Sequence, residues 1–175
     1  MDLILWRHAD AGNPLDDAVL DLQRPLSPKG ARHAARIAEW LQRALPERTR
    51  VLVSPALRCQ QTARSLGRKF HTRDALGPGG DVHALLALAG WPERRTPVLI
   101  VGHQPTLGAA AAWLMAGAAA GGAALRGSGA AALEAHAPGA PSWAMRKGAV
   151  WWLRRRERAG RVEVVLVAVR APDEP

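Results

Sequence analysis

Three short segments of the chain are apolar without the alternation of a half-exposed strand: LILW at 3–6, RVLVS at 50–54 and PVLIVG at 97–102. Continuous runs of this length, rich in Val, Leu and Ile, are expected of strands covered on both faces of a parallel sheet. Between the first two, SPKGARHAARIAEWLQRAL sets Ala31, Ala34, Ile37, Ala38 and Leu41 at helical spacing, with Ser27 as the cap and Pro28 in the first turn. SPALRCQQTARSLGRKF after the second run and PTLGAAAAWLMAG after the third read as two more helices. GGDVHALLALAG at 79–90 gives a further short helix, capped by Asp81. GAVWWLRRRERAGRVEVVLVAVR closes the pattern as a hairpin that turns at Arg158-Ala159-Gly160-Arg161 and finishes the sheet at an edge. This succession predicts an α/β fold: a three-layer α/β/α sandwich with a mainly parallel central sheet and a C-terminal hairpin.

No internal repeat or linker divides the chain, and its 175 residues read as one domain over 1–175. The Gly, Ala and Pro-rich stretch at 116–142 reads as a mobile loop, a tolerated insertion more than a lid. Pro105 to Leu125 carries no charge, but alanine and glycine dominate it and supply too little transfer energy for a membrane span. No signal peptide is read, and the single cysteine, Cys59, excludes an internal disulfide or a zinc cluster, so a cytoplasmic location is expected. The net charge is +9, from 24 Lys and Arg against 15 Asp and Glu. That favours anionic partners, whether nucleic acid, phosphorylated protein or small phosphates, without choosing among them.

Ligands of open parallel sheets bind beyond the carboxyl ends of the strands. The first strand delivers Arg7 and His8 there. The second delivers Ser54 and Pro55 and sets Arg58 on the first turn of the next helix, and the third delivers Gly102 and His103. Two guanidiniums and two imidazoles thus gather beside helix N-termini that attract anions, and Asp10 is the one carboxylate expected among them. Neutral imidazole is a capable nucleophile toward phosphorus, and neighbouring arginines disfavour its protonation. A backbone carbonyl on one ring nitrogen of His8 would fix the tautomer and aim the other nitrogen. Arg7 and Arg58 would neutralise the phosphoryl oxygens, and His103, protonated when phosphate is bound, would add a donor. Such a site needs no metal or other cofactor.

RHADA, SPALRCQQTA and GHQPTLG, in this order and on these elements, resemble the histidine phosphatase superfamily, whose fold is that of phosphoglycerate mutase. RPLSPKG at 24–30 and GGDV at 79–82 are most similar to its short, SixA-type phosphohistidine phosphatase branch. The resemblance covers residues 1 to 115 well and the hairpin loosely. It implies a phosphorylated nucleophile at His8, a phosphate pocket of Arg7, Arg58 and His103, and Arg24 as a further phosphate-reaching arginine. Ala9 replaces the glycine of the family's usual RHG. The glutamate proton donor of many mutases and phosphomonoesterases is missing around DALGPGGD, which offers only Asp74 and Asp81. An alkoxide leaving group needs a placed acid, whereas a phosphoramidate has a more labile bond, so the resemblance points to phosphohistidine in a protein. Asp10 and Asp81 are the candidate proton donors. The alternatives are a phosphatase for small phosphomonoesters and a module that binds phosphate or phosphoprotein without turnover.

The remaining candidates have plainer readings. His33, His71, His83 and His136 read as surface or helix-face residues, and Ser54 as a helix cap or backbone partner. Gln61 and Thr62 read as packing groups, Cys59 as buried, and Trp6 and Trp40 as core. Trp151 and Trp152 should face opposite sides of one strand. Arg154, Arg155, Arg156 and Arg158 read as a solvated charged edge near the hairpin turn that opposes strand-to-strand aggregation, rather than as a nucleic-acid surface.

Overall fold

The computed structural model describes residues 1–116, 142–159 and 161–173. The three apolar runs form β1 (Asp2–Arg7), β2 (Arg50–Val53) and β4 (Val98–Gly102). With β3 (His71–Thr72), β5 (Val150–Arg158) and β6 (Arg161–Arg170) they make one six-stranded sheet in the order β3-β2-β4-β1-β5-β6. The first four strands in that order run parallel, and β5 and β6 join as an antiparallel pair.

Side chains alternate across a strand, and here both faces are covered. Leu3, Leu5, Val98 and Ile100 pack with Leu85 and Leu86 of α4 (Val82–Ala89) and Leu107 and Leu114 of α5 (Thr106–Met115). Ile4, Trp6, Leu99 and Val101 pack on the other side with Ile37 and Leu41 of α2 (Pro28–Ala44) and Cys59 and Ala63 of α3 (Leu57–Arg64). Leu3 through Trp6 are wholly buried, and each such side chain stabilises the fold by roughly 2 kcal/mol. The unbroken apolar runs are the direct result of this two-sided cover.

The caps lie where the sequence puts them. Ser27 Oγ accepts from Gly30 N–H at 3.0 Å and Asp81 Oδ1 from Ala84 N–H at 2.8 Å. The hairpin turns between Arg158 and Arg161, which pair across it, and Ala159 takes a left-handed φ of 50°. Trp151 and Trp152 serve opposite cores, as expected.

Three differences stand out. A short helix, α1 (Ala18–Gln23), is capped by Asp17 and buries none of its residues, so no apolar period announced it. α3 stops at Arg64, well short of the helical string, ahead of Gly67 at φ 69°. The arginine cluster does not line an edge: β5 is interior, β6 holds the edge, and Arg154 grips Asp2 through two contacts of 2.7 Å. Among the described residues no helix is long and apolar enough to cross a membrane. The loop expected at 116–142 lies, apart from Ala116 and Ser142, outside the described residues, as does His136.

Candidate active site

The parallel register places Arg7 opposite Gly102 and Val53 opposite Val101, so the strand ends carrying Arg7–His8, Ser54 and Gly102–His103 lie side by side. The His8 peptide is fixed on both flanks: its N–H donates to Gly102 O at 3.1 Å, and its carbonyl accepts from Gly148 N–H at 3.0 Å. Trp6 Nε1 donates to Gly148 O at 3.0 Å, which locks the same turn from within the core. Ala9 N–H donates to Thr62 Oγ1 at 3.1 Å, and Thr62 in turn donates to Arg58 O at 2.7 Å. The hydroxyl of Thr62 thereby joins the strand carrying His8 to the helix carrying Arg58.

His8 Nδ1 donates to Ala9 O at 2.8 Å. This is the carbonyl contact the sequence reading asked for, supplied by the next residue. It puts the hydrogen on Nδ1 and leaves Nε2 with a lone pair, and among the described residues Nε2 has no hydrogen-bond partner. Burial pushes the imidazole pKa down to about 4, with Arg58, Arg7 and Arg24 adding to the effect against the Ala9 carbonyl. His8 is therefore neutral at physiological pH, as a nucleophile requires.

The His103 ring stands 5.2 Å from that of His8, tilted by 58°. Burial above all, with the neighbouring His8 and the charge of Arg58, lowers its pKa to about 3. The ring is therefore neutral at physiological pH. Its Nε2 lies 2.7 Å from Ser54 Oγ and 3.5 Å from Cys59 Sγ. Ser54 Oγ also accepts from Ala56 N–H at 3.2 Å. The serine oxygen and Nε2 share one hydrogen, carried by the hydroxyl or by the ring according to the tautomer, and Nδ1 of His103 has no hydrogen-bond partner among the described residues. Ser54 thus bonds the backbone, as expected, and orients a site imidazole, which the sequence did not indicate.

Arg7 and Arg58 share a pattern. Each is tethered through Nη1 to a backbone carbonyl, Arg7 to Met145 O and Arg58 to Asp21 O. Each has its Nε buried without a partner among the described residues. Buried polar groups are nearly always hydrogen-bonded, so two orphaned guanidinium donors beside two neutral imidazoles describe a cradle built for an anion.

Asp10 is not the carboxylate of this cluster; Asp21 is. Asp21 Oδ2 pairs with Arg58 Nη2 at 3.0 Å, and Asp21 Oδ1 pairs with Arg24 Nη2 and Nε at 2.9 Å. Arg24 also donates through Nη1 to Ala11 O at 2.6 Å and Gly12 O at 3.2 Å. It stands near enough to depress His8, but its nitrogens hold Asp21 and the 11–12 backbone. Asp21 sits three residues before Arg24 in DLQR. That spacing is a usable signal once a helix is known to be there.

Asp10 turns to the other side. Its carboxylate accepts from Lys147 Nζ at 2.7 Å and Ser27 Oγ at 2.7 Å, and these bonds hold its pKa down at about 2. Ser27 N–H donates to Asp10 O at 2.9 Å, and a Cβ on Gly30 would lie 1.9 Å from that same oxygen. The SPKG segment is thus a seat for the loop that leaves His8. Asp81 caps α4 at the surface, while Gly80 O accepts from Thr106 Oγ1 at 2.8 Å, fastening the GGDV loop to the start of α5 just after His103.

Other residues follow their plainer readings. Gln61 Oε1 accepts from Leu26 N–H at 2.7 Å, His33 pairs with Asp173 at 3.2 Å, and the His83 ring lies against Trp113. Cys59 is wholly buried, and burial lifts its thiol to about 12. Among the described residues no group of three or more His, Cys, Asp or Glu is arranged to hold a metal.

A family model described as the histidine phosphatase superfamily (branch 1) matches residues 3–76. The phosphohistidine phosphatase SixA of Escherichia coli strain K12 is 34% identical over 116 residues, which is 62% of this chain and 70% of that protein. An uncharacterized protein of Mycobacterium tuberculosis strain H37Rv is 34% identical over 110 residues, 60% of this chain, and the match spans 66% of its own length. The structure of the protein histidine phosphatase SixA complexed with tungstate superposes with a TM-score of 0.67 at 25% identity, covering 98% of this chain and 97% of that one.

Proposed function

The chain belongs to the histidine phosphatase superfamily, and we propose that it is a metal-independent phosphatase that acts through a covalent phosphohistidine on His8, most readily on phosphohistidine in a protein. One observation carries this reading: a neutral imidazole stands beside two arginines, and among the described residues neither its Nε2 nor their buried Nε donors have a partner. Nε2 attacks phosphorus, and the P–N bond to the departing imidazole breaks as the new P–N bond forms. The Nε–Nη2 edge of Arg7 and the Nε side of Arg58 take up the phosphoryl charge, with His103 as a further donor. The leaving imidazole retains the electron pair and takes a proton from solvent. Water then attacks the phosphorylated His8, releasing inorganic phosphate and restoring Nε2.

The substrate class follows from proton supply. Asp10 is ionised and bound to Lys147, and Asp81 caps a helix at the surface. Neither is poised to protonate an alkoxide, which favours a phosphoramidate over a phosphomonoester. The tungstate held by the similar SixA structure is a tetrahedral oxyanion of the kind this cradle suits.

The test is mass spectrometry of the acid-labile adduct after mixing with a phosphohistidine peptide, for the wild type and His8→Ala. Phosphate on His8, lost together with turnover in the variant, is expected. Faster turnover of p-nitrophenyl phosphate or sugar phosphates than of the peptide would transfer the assignment to small phosphomonoesters. Stable phosphate binding without hydrolysis of any substrate would make the chain a phosphate-binding module.

A further inference from the structure

Asp21 is assigned no role by the family resemblance, yet it is the hub of the arginine cluster. Its side chain takes Leu15 N–H at 3.0 Å, Arg24 at 2.9 Å and Arg58 at 3.0 Å, and its own carbonyl takes Arg58 Nη1 at 2.6 Å. Besides Asp21, α1 is held by the half-buried Leu22, which packs on the core beside α2 and α3. The helix therefore holds a carboxylate against two of the three guanidiniums around His8.

We propose that Asp21 is a positioning residue that sets the charge of the phosphoryl pocket, orienting Arg58 while restraining its grip and that of Arg24 so that product phosphate can leave. The proposal rests on the phosphoryl-site reading given above. Both Nη groups of Arg58 are turned to Asp21, which leaves the Nε side for the incoming anion. With both imidazoles neutral, Arg7, Arg24 and Arg58 less Asp21 give the pocket two net positive charges. That matches a phosphoryl dianion and avoids a third charge that would hold inorganic phosphate after hydrolysis. Burial alone would raise the Asp21 carboxyl, but Leu15 N–H and the guanidiniums of Arg24 and Arg58 outweigh it and hold the group below the usual carboxylate range. The charge is therefore present at neutral pH.

Asp21→Asn separates charge from geometry, because the backbone bond to Arg58 and one side-chain acceptor remain. Binding of inorganic phosphate to the full chain is measured by titration calorimetry, alongside kcat and KM on a phosphohistidine peptide. We expect Asp21→Asn to bind phosphate roughly three- to tenfold more tightly, with KM and kcat both reduced as release slows, and Asp21→Glu to restore wild-type values. Melting curves confirm that each variant is folded. Unchanged or weaker phosphate binding by folded Asp21→Asn, or tighter binding by Asp21→Glu, overturns the role of Asp21 alone. Failure of the wild type itself to bind phosphate overturns the pocket reading and this inference with it.

Discussion

The hydroxyl of Ser54 lies 2.7 Å from Nε2 of His103, joining the ends of β2 and β4 across 49 residues of sequence. Both groups are buried, and Ala56 N–H occupies a second position on the serine oxygen. The contact fixes the orientation of the His103 ring beside that of His8. Ser54→Ala leaves Nε2 and Ala56 N–H without their partner, a cost of about 1–3 kcal/mol in stability. It should lower kcat on the order of tenfold with KM little changed, because the lost orientation matters most when charge develops. Steady-state kinetics and imidazole NMR would check both statements.

Acid sensitivity should bear the mark of the two imidazoles. Their folded pKa values, about 4 for His8 and about 3 for His103, lie below the unperturbed 6.5. Between those values the unfolded chain binds protons that the native state does not, so stability rises with pH there. The stabilisation is complete above pH 6.5 and is lost progressively as pH falls through about 4 to 3. Thermal melting from pH 8 to 4 should show the midpoint dropping below pH 6.5, ahead of the carboxylate range. A His8→Ala protein should show a flatter curve, and an unchanged curve would place the acid sensitivity elsewhere.

Gly30 is needed for closeness. A methyl group there would meet the backbone of Asp10 at 1.9 Å, and a main-chain oxygen cannot swing aside as a flexible side chain would. Gly30→Ala is expected to destabilise the fold by roughly 2–3 kcal/mol and to lower activity by shifting the loop that follows His8. Denaturant titration beside turnover measurements would show the two losses together.

The charged state of Asp10 gives a contrary expectation. Held at about 2 by Lys147 and Ser27, it carries no proton to donate at neutral pH. Asp10→Asn should cost about 1 kcal/mol of stability and leave turnover of a phosphohistidine peptide within a few-fold of wild type. A loss of a hundredfold or more, in a protein that melts normally, would return Asp10 to the chemistry.

The central strands were legible because their cover is two-sided: a run such as LILW has no exposed position to interrupt it. Arg7, His8, Arg58 and His103 were legible for a related reason, since each follows such a run and a parallel sheet brings those ends together. What escaped was short or non-local. α1 has no fully buried residue and so leaves no apolar period, and Asp21, which it carries, was passed over in favour of Asp10. The Ser54–His103 contact joins residues whose proximity only the strand order β2-β4-β1 creates. Arg24 was read from its motif as reaching the phosphate, but the motif does not reveal that Asp21 takes up its guanidinium.

The double fastening of the His8 peptide, to Gly102 on one flank and Gly148 on the other, divides the molecule into a part that cannot vary and a part that can. The His8 ring is moored to the middle of the sheet, and redirecting it would mean unzipping the innermost strand. Change is therefore accommodated at the exposed side chains of the rim, such as Val19 and Leu20 of α1 and Trp143 and Arg146, which can be exchanged without disturbing either fastening.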